Sequence, residues 1–140
     1  MATIEISRVQ GDYGFEARDE AGNIVRMDTS PESGGQNFGA RPMQMLLMAM
    51  GGCSGIDIVS ILEKQRQPLK GFRAFIEGER EQGKEPSLWK EARIVFELEG
   101  DLDPAKAERA CALSMDKYCS VAETLRKAGC SVTWELRLRK

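Results

Sequence analysis

Histidine is absent from the 140 residues of this sequence. Its absence excludes Ser-His-Asp and Cys-His catalysis, so any reactive thiolate must be stabilised by arginine, lysine or a helix dipole. The four cysteines, Cys53, Cys111, Cys119 and Cys130, form no CxxC pair, and no histidine is present to complete a zinc site. We therefore expect neither a bound metal nor a cofactor.

A large charge imbalance is missing as well. The 20 basic and 22 acidic residues leave a net charge of −2, which argues against nucleic acid or an anionic membrane surface as a partner. The N-terminal segment MATIEISRVQ has neither the basic start nor the apolar centre of a signal peptide. The most hydrophobic window, residues 43–62, is interrupted by glycines and polar side chains, which is typical of a core helix. These features predict a cytoplasmic protein with reduced cysteines and no membrane partner.

The hydrophobic patterning predicts one α+β domain that covers residues 1–140. Alternating apolar and polar residues predict three strands within the first thirty positions, paired as an antiparallel meander with one buried face. A flexible polar loop, SPESGGQNFGA, follows. A long helix should then begin at Pro42 and end near Gln67, just before Pro68.

The second half of the chain predicts three further strands and two shorter helices. Two strands, GFRAFIEGERE and WKEARIVFELEG, precede a helix for which Asp103 is the expected N-cap. Ser120 and Glu123 fit a capping box at the start of a third helix, which Gly129 should close. The final strand, CSVTWELRLR, completes the order β-β-β-α-β-β-α-α-β without an internal repeat.

The stretch MAMGGCSGID, residues 48–57, places Gly51, Gly52 and Gly55 around Cys53 inside the predicted long helix. Each glycine in a helix interior costs about 0.8–1 kcal/mol relative to alanine. Two explanations are open. The glycines could let another backbone or a substrate approach the thiol, or they could serve tight packing of the helix.

Cys119 lies just ahead of the predicted third helix, where N–H donors and the helix dipole would lower the pKa of its thiol. The alternative is a small buried apolar side chain, which is the commonest role of a free cysteine. That alternative is favoured for Cys111, on an amphipathic helix, and for Cys130, at the start of a strand. The methionines of the long helix, Met43 among them, are core filler or the wall of an apolar pocket.

Two segments together resemble the OsmC/Ohr superfamily: GGQNFGARPMQMLLMAMGGCSGIDIVSIL and, further downstream, DKYCSVAETL. The likeness is to the bacterial OsmC-like branch with a GGCSGID helix, and it covers nearly the whole chain. It implies an OsmC-like fold with antiparallel strands around a long central helix. It also implies an intertwined homodimer in which two such helices pack together and both sites lie at the subunit interface.

The resemblance further implies a thiol peroxidase active against oxidative stress. By position, Cys53 would attack an organic hydroperoxide or hydrogen peroxide and become a sulfenic acid. Cys119, which lies 66 residues further on, would condense with that acid to form a disulfide. A dithiol, either a lipoyl group or a thioredoxin-like protein, would then reduce the disulfide.

Two positions depart from the family pattern. Met43 stands where peroxidase branches carry a glutamate after the helix-opening proline, and Ser120 stands where a proline commonly follows the second cysteine. Arg41 is the best candidate to stabilise the Cys53 thiolate, with Met43 and Gly52 as candidate pocket residues. About 18 Å of helix separates Arg41 from Cys53.

Arg41 could reach Cys53 only across a dimer of antiparallel helices, or if the glycines break the helix. Its alternative role is an anion contact near the helix start. These departures keep a second function open, namely an OsmC-fold binding module for a small apolar or thiol-reactive ligand, with little peroxidase activity.

Overall fold

The computed structural model describes every residue from Met1 to Lys140. The chain divides into two compact units, Met1–Leu46 and Leu47–Lys140. Its strands and α-helices follow the order β-β-β-α-β-β-α-α-β, which confirms the order predicted from the sequence.

The first unit contains a three-stranded antiparallel sheet in the order β1-β2-β3. Its strands are β1 (Glu5–Gln10), β2 (Gly14–Arg18) and β3 (Ile24–Met27). The sequence predicts one buried face, but every residue of β1 is exposed. Apolar side chains at both edges, Ile6, Val9, Ile24 and Val25, are 45–53% exposed. The prediction of a buried face is therefore wrong for the single chain, because both edge strands leave their apolar side chains open.

Asp28 organises the polar segment that follows this sheet. Its buried carboxylate accepts hydrogen bonds from the backbone N–H groups of Thr29 at 2.7 Å, Gln36 at 3.0 Å and Phe38 at 3.1 Å. A 3-10 turn, Pro31–Ser33, lies between these donors. The segment is thus a hydrogen-bonded structure rather than the flexible loop that its composition suggests.

The long helix α1 spans Pro42–Lys64 without a break. It begins at the predicted proline but ends before the predicted Gln67, because Arg66 adopts a left-handed conformation with φ of 57°. The N–H of Gln67 then turns back to the carbonyl oxygen of Leu62 at 2.9 Å. The buried residues of α1 recur at helical spacing along one face: Met50, Ser54, Gly55, Ile58 and Leu62.

By length and composition, α1 is also the one helix that could cross a membrane. Within the chain, 28% of its most apolar 18-residue window is buried. The core helix of a soluble domain can have the same length and composition, and the buried face of α1 gives it a core role in this fold.

The second unit contains a three-stranded sheet in the order β4-β5-β6. Its strands are β4 (Leu69–Arg80), β5 (Trp89–Gly100) and β6 (Ser131–Arg139). Strands β4 and β5 pair antiparallel, whereas β6 runs parallel to β5, so the expectation of antiparallel strands throughout is corrected. The reason is the connection from β5 to β6, which passes through the helices α2 (Pro104–Leu113) and α3 (Ser120–Lys127). A crossover of this kind returns the chain in the same direction.

The core of the second unit holds α1 in place. Ile94, Phe96 and Leu98 on β5 are fully buried, as are Ile58 and Leu62 on α1. Burying each such side chain contributes about 1.5–3 kcal/mol. This packing positions the part of α1 that carries Cys53.

Candidate active site

The three glycines around Cys53 do not play the same part. A Cβ on Gly51 would lie 2.7 Å from the side-chain tip of Ile76, and one on Gly55 would lie 3.2 Å from the ring of Phe72, both on β4. A Cβ on Gly52 would meet nothing within 4 Å. Gly51 and Gly55 therefore serve the close packing of α1 on the sheet, whereas Gly52 borders open space.

Cys119 is the N-cap of α3. Its sulfur accepts a hydrogen bond from the N–H of Ala122 at 3.4 Å, and Ser120 is the first residue of the helix. The predicted capping box of Ser120 and Glu123 is therefore wrong by one position. The thiol itself takes the part that a serine or aspartate oxygen usually has at a helix start.

Two cysteines and one carboxylate meet at this point of the second unit. The sulfurs of Cys53 and Cys119 and a carboxylate oxygen of Asp57 all lie within 4.8 Å of one another. Cys53 and Asp57 share a face of α1 because they are four residues apart. The structure thus brings together the two cysteines that the sequence singles out, and adds an acidic residue that the sequence analysis missed. The four-residue spacing was the signal that could have indicated Asp57.

A π-helical turn, Ser114–Tyr118, joins α2 to Cys119 and supplies a second missed residue. The hydroxyl of Ser114 is fully buried and lies 3.0 Å from Oδ2 of Asp57, to which it can donate. The carbonyl oxygen of Ser54 is a second acceptor for the same hydroxyl at 3.4 Å. Such turns are frequently found at functional sites, but no pattern in the sequence predicts this one.

The electrostatics of Cys119 differ from the prediction. Burial raises the pKa of the Cys119 thiol to about 11, and the neighbouring Cys53 thiol and Asp57 carboxylate raise it as well. The N–H of Ala122 acts in the opposite direction. The lowered pKa expected at a helix start is therefore wrong, because the loss of water outweighs the N–H donor. Burial likewise raises the pKa of Cys111 to about 12, as expected for a packed thiol.

The same three side chains could also bind a metal ion. They offer two sulfurs and one carboxylate oxygen, which is one ligand fewer than the four of a closed structural zinc site. Arrangements with three ligands occur in catalytic zinc sites, where water takes the fourth position. Spacing in the sequence does not predict this set, because the two cysteines come from distant segments and the third donor is not a histidine.

Arg41 and Met43 lie in the first unit, at the start of α1. The charge of Arg41 acts on Asp28 and helps, after the N–H donors of Gln36 and its neighbours, to lower the pKa of that carboxyl group. The helix is continuous through its glycines, so the alternative in which a break brings Arg41 to Cys53 is wrong. The charge of Arg41 thus acts on an anionic side chain near the helix start, and its contact with a bound anion stays a prediction.

Two depressions in the second unit border α1. An open, mostly apolar groove of about 460 Å³ runs past Gly52, Ile56, Val59 and Phe72. A second cavity of about 550 Å³ has Asp57 at one end and Lys64 two helical turns away. Both volumes lie in the range of small-molecule sites.

Residues 33–135 match the sequence model of the OsmC-like protein family. The chain belongs to this family. The OsmC-like chain is also 47% identical over 88 residues to protein YhfA of Escherichia coli K12, a match that covers 62% of this chain and 65% of YhfA. It therefore matches less than two thirds of that relative's length.

Solved structures share the OsmC-like fold. A hypothetical protein from Aquifex aeolicus VF5 is 28% identical, with a TM-score of 0.80 over 100% of this chain and 98% of the other. An organic hydroperoxide resistance protein OsmC from Legionella pneumophila is 16% identical, with a TM-score of 0.67 over 98% of this chain and 96% of the other. The second likeness is one of fold alone. Together these matches confirm the α+β OsmC-like fold.

Proposed function

We propose that this OsmC-like chain is a cysteine-based hydroperoxide reductase. The observation that carries the proposal is the proximity of Cys53 and Cys119, whose sulfurs lie within 4.8 Å across a long separation in sequence. Cys53 is half-buried and accessible to a peroxide, whereas Cys119 is only 2% exposed. This difference supports Cys53 as the attacking thiol and Cys119 as the resolving thiol.

The reaction has three balanced steps. The sulfur of Cys53 attacks one peroxide oxygen of ROOH, the O–O bond breaks, and the products are an alcohol and the sulfenic acid of Cys53. The sulfur of Cys119 then displaces hydroxide from that acid, which yields a disulfide and water. An S–S bond of about 2.05 Å requires the sulfurs to close by less than about 3 Å. A dithiol of the lipoyl or thioredoxin-like kind reduces the disulfide by exchange and is itself oxidised.

The test exposes reduced protein to one equivalent of an organic hydroperoxide and maps the products by peptide mass spectrometry. We expect a Cys53–Cys119 disulfide within one chain, no turnover in Cys53→Ser, and a trappable sulfenic acid in Cys119→Ser. Cys111→Ser and Cys130→Ser are matched controls, since both thiols are buried and lie outside the cluster. Unchanged turnover in Cys53→Ser would contradict the proposal.

We also propose that the working form is a homodimer packed on α1. Ile56 is 74% and Met48 57% exposed on this helix, and Gly52 faces open space. Contiguous apolar surface of this kind usually marks an interface. In such a dimer, Arg41 and Met43 of one chain would complete the pocket of the other, with Gly52 at the point of contact.

Mixed dimers test this arrangement. Cys53→Ser and Arg41→Gln chains are each expected to be inactive alone. Mixed at equal amounts, they should recover about a quarter of wild-type activity, because half of randomly paired dimers are mixed and each has one complete site. Absence of recovery, in a mixture shown to exchange subunits, would refute the shared site.

Two further assignments belong to this proposal. The family match over residues 33–135 runs across the boundary between the two units, which supports a single OsmC-like domain over residues 1–140. Four unpaired cysteines fit a reducing compartment, so we place the protein in the cytoplasm, without a nucleic-acid or membrane partner.

The apolar groove favours one alternative function, a binding module for a small apolar or thiol-reactive ligand. Its lining by Gly52, Ile56, Val59 and Phe72 would suit a small apolar ligand. Native mass spectrometry of protein purified without denaturant distinguishes the two functions. A bound small molecule together with thiols that stay reduced under peroxide would favour the binding module.

A further inference from the structure

Asp57 is the one member of the cysteine cluster to which the proposed reaction gives no role. Its carboxylate lies within 4.8 Å of both sulfurs, and the buried hydroxyl of Ser114 lies 3.0 Å from Oδ2. None of the ion pairs in the structure involves this carboxylate. A charged group held next to two reacting atoms, and not neutralised by a cation, is available for proton transfer.

The resolving step needs such a group. The thiol of Cys119 is nearly excluded from water, and its S–H can donate to the carbonyl oxygen of Met50, at 4.0 Å from the sulfur. When this sulfur attacks the sulfenic acid of Cys53, its proton must leave. Hydroxide departs from Cys53 at the same time and must gain a proton to become water. The proton is thus released at the sulfur of Cys119 and taken up by the hydroxide that leaves Cys53. Bulk water has little access to the Cys119 sulfur.

We propose that Asp57 carries this proton, taking it from the Cys119 thiol and delivering it to the hydroxide that leaves Cys53. The proposal rests on the proposed peroxidase function. In the balanced step, the S–H bond of Cys119 and the S–O bond of Cys53 break, the S–S bond forms, and water leaves. Asp57 ends the step ionised, as it began. Its position four residues after Cys53, and near Cys119, puts one carboxylate within reach of both ends of the transfer.

Ser114 is the positioning residue for this transfer. Its hydroxyl is fully buried at the first residue of the π-helical turn, and a hydrogen bond from it would keep one carboxylate oxygen of Asp57 oriented. The other oxygen remains able to accept a proton. The turn therefore sets both the place of Cys119 and the orientation of the group that deprotonates it.

The experiment separates the two chemical phases by rapid mixing of reduced protein with an organic hydroperoxide. The first phase is peroxide consumption with sulfenic acid formation, followed by trapping with dimedone. The second is formation of the Cys53–Cys119 disulfide, followed by quenching and mass spectrometry. In Asp57→Asn we expect the first phase to stay within about twofold and the second to slow by about 100-fold, the lower end of general acid–base effects.

Three further variants make the test specific. Asp57→Glu keeps a carboxylate and should restore most of the second-phase rate. Asp116→Asn removes an exposed acidic charge from the π-helical turn and should behave as wild type. Ser114→Ala should slow only the second phase, by less than Asp57→Asn.

Failure of the inference differs from failure of the proposed function. A second phase at the wild-type rate, in an Asp57→Asn protein whose circular dichroism is native, overturns the role of Asp57 and leaves the peroxidase intact. If Asp57→Asn does not fold, a solvent deuterium isotope effect close to one on the second phase of wild type overturns it equally. Absence of sulfenic acid in wild type overturns the peroxidase and the inference with it.

Discussion

Gly52→Ala tests whether the open side of α1 is covered by a second chain. In the isolated chain the substitution should stabilise the protein by about 0.8–1 kcal/mol, since alanine is the better helix former. No atom lies within 4 Å of the added methyl group, so no clash offsets this gain. In a homodimer packed on this face, the same methyl group would be forced into the interface. Overpacking costs about 1–3 kcal/mol, which cancels or exceeds the gain.

The assay combines urea unfolding with sedimentation velocity, at matched protein concentrations, for wild type and Gly52→Ala. We expect an unchanged or lower free energy of unfolding, together with a larger monomer fraction. Gly51→Ala and Gly55→Ala are matched controls: their methyl groups would meet Ile76 and Phe72 of the same chain, so their effect on the free energy of unfolding should not depend on protein concentration. A gain near 0.9 kcal/mol in Gly52→Ala, with the oligomeric state unchanged, would refute the interface.

Three further predictions concern stability. Hydrogen bonds, chiefly from the N–H of Gln36, lower the pKa of Asp28. The stability that Asp28 contributes is therefore present above its unfolded pKa and is lost as the pH falls toward its folded pKa. The loss of stability in acid should be less steep for Asp28→Asn than for wild type below pH ~4. Burial raises the pKa of Cys119 to about 11. The stability that this thiol contributes is therefore complete below the ordinary thiol pKa and is lost as the pH rises toward 11. In urea unfolding at a series of pH values, the midpoint of Cys119→Ser should fall less at alkaline pH than that of wild type. Asp103→Ala removes the cap of α2, where the carboxylate accepts the N–H of Ala105 at 2.9 Å, and should cost about 0.5–2 kcal/mol by urea unfolding; no loss would mean that the cap contributes nothing.

The sequence predicts the order of elements because the signals for it are local. Pro42 at the start of α1 and Asp103 before α2 act within one helical turn, and both are confirmed. The direction of β6 depends on a pairing across the sheet and was missed. The crossover through two helices would have indicated a parallel strand.

The candidate site was predictable only in part. The approach of Cys119 to Cys53 agrees with what the family resemblance implies, because both cysteines belong to its motifs. The raised pKa of Cys119 was not predictable, since burial depends on the whole fold and outweighs the N–H donor at the helix start. Ser114 reaches Asp57 only because a π-helical turn interrupts the chain after α2, and periodicity gives no sign of it.

Two features of α1 lack a complement within one chain. Gly52 opens onto empty space, and Ile56 exposes an apolar side chain. One event, the packing of a partner helix that brings Arg41 to the pocket of Cys53, would cover both the glycine and the isoleucine. The affinity of the two chains and the reactivity of Cys53 should then fall together on dilution, because both depend on the same contact.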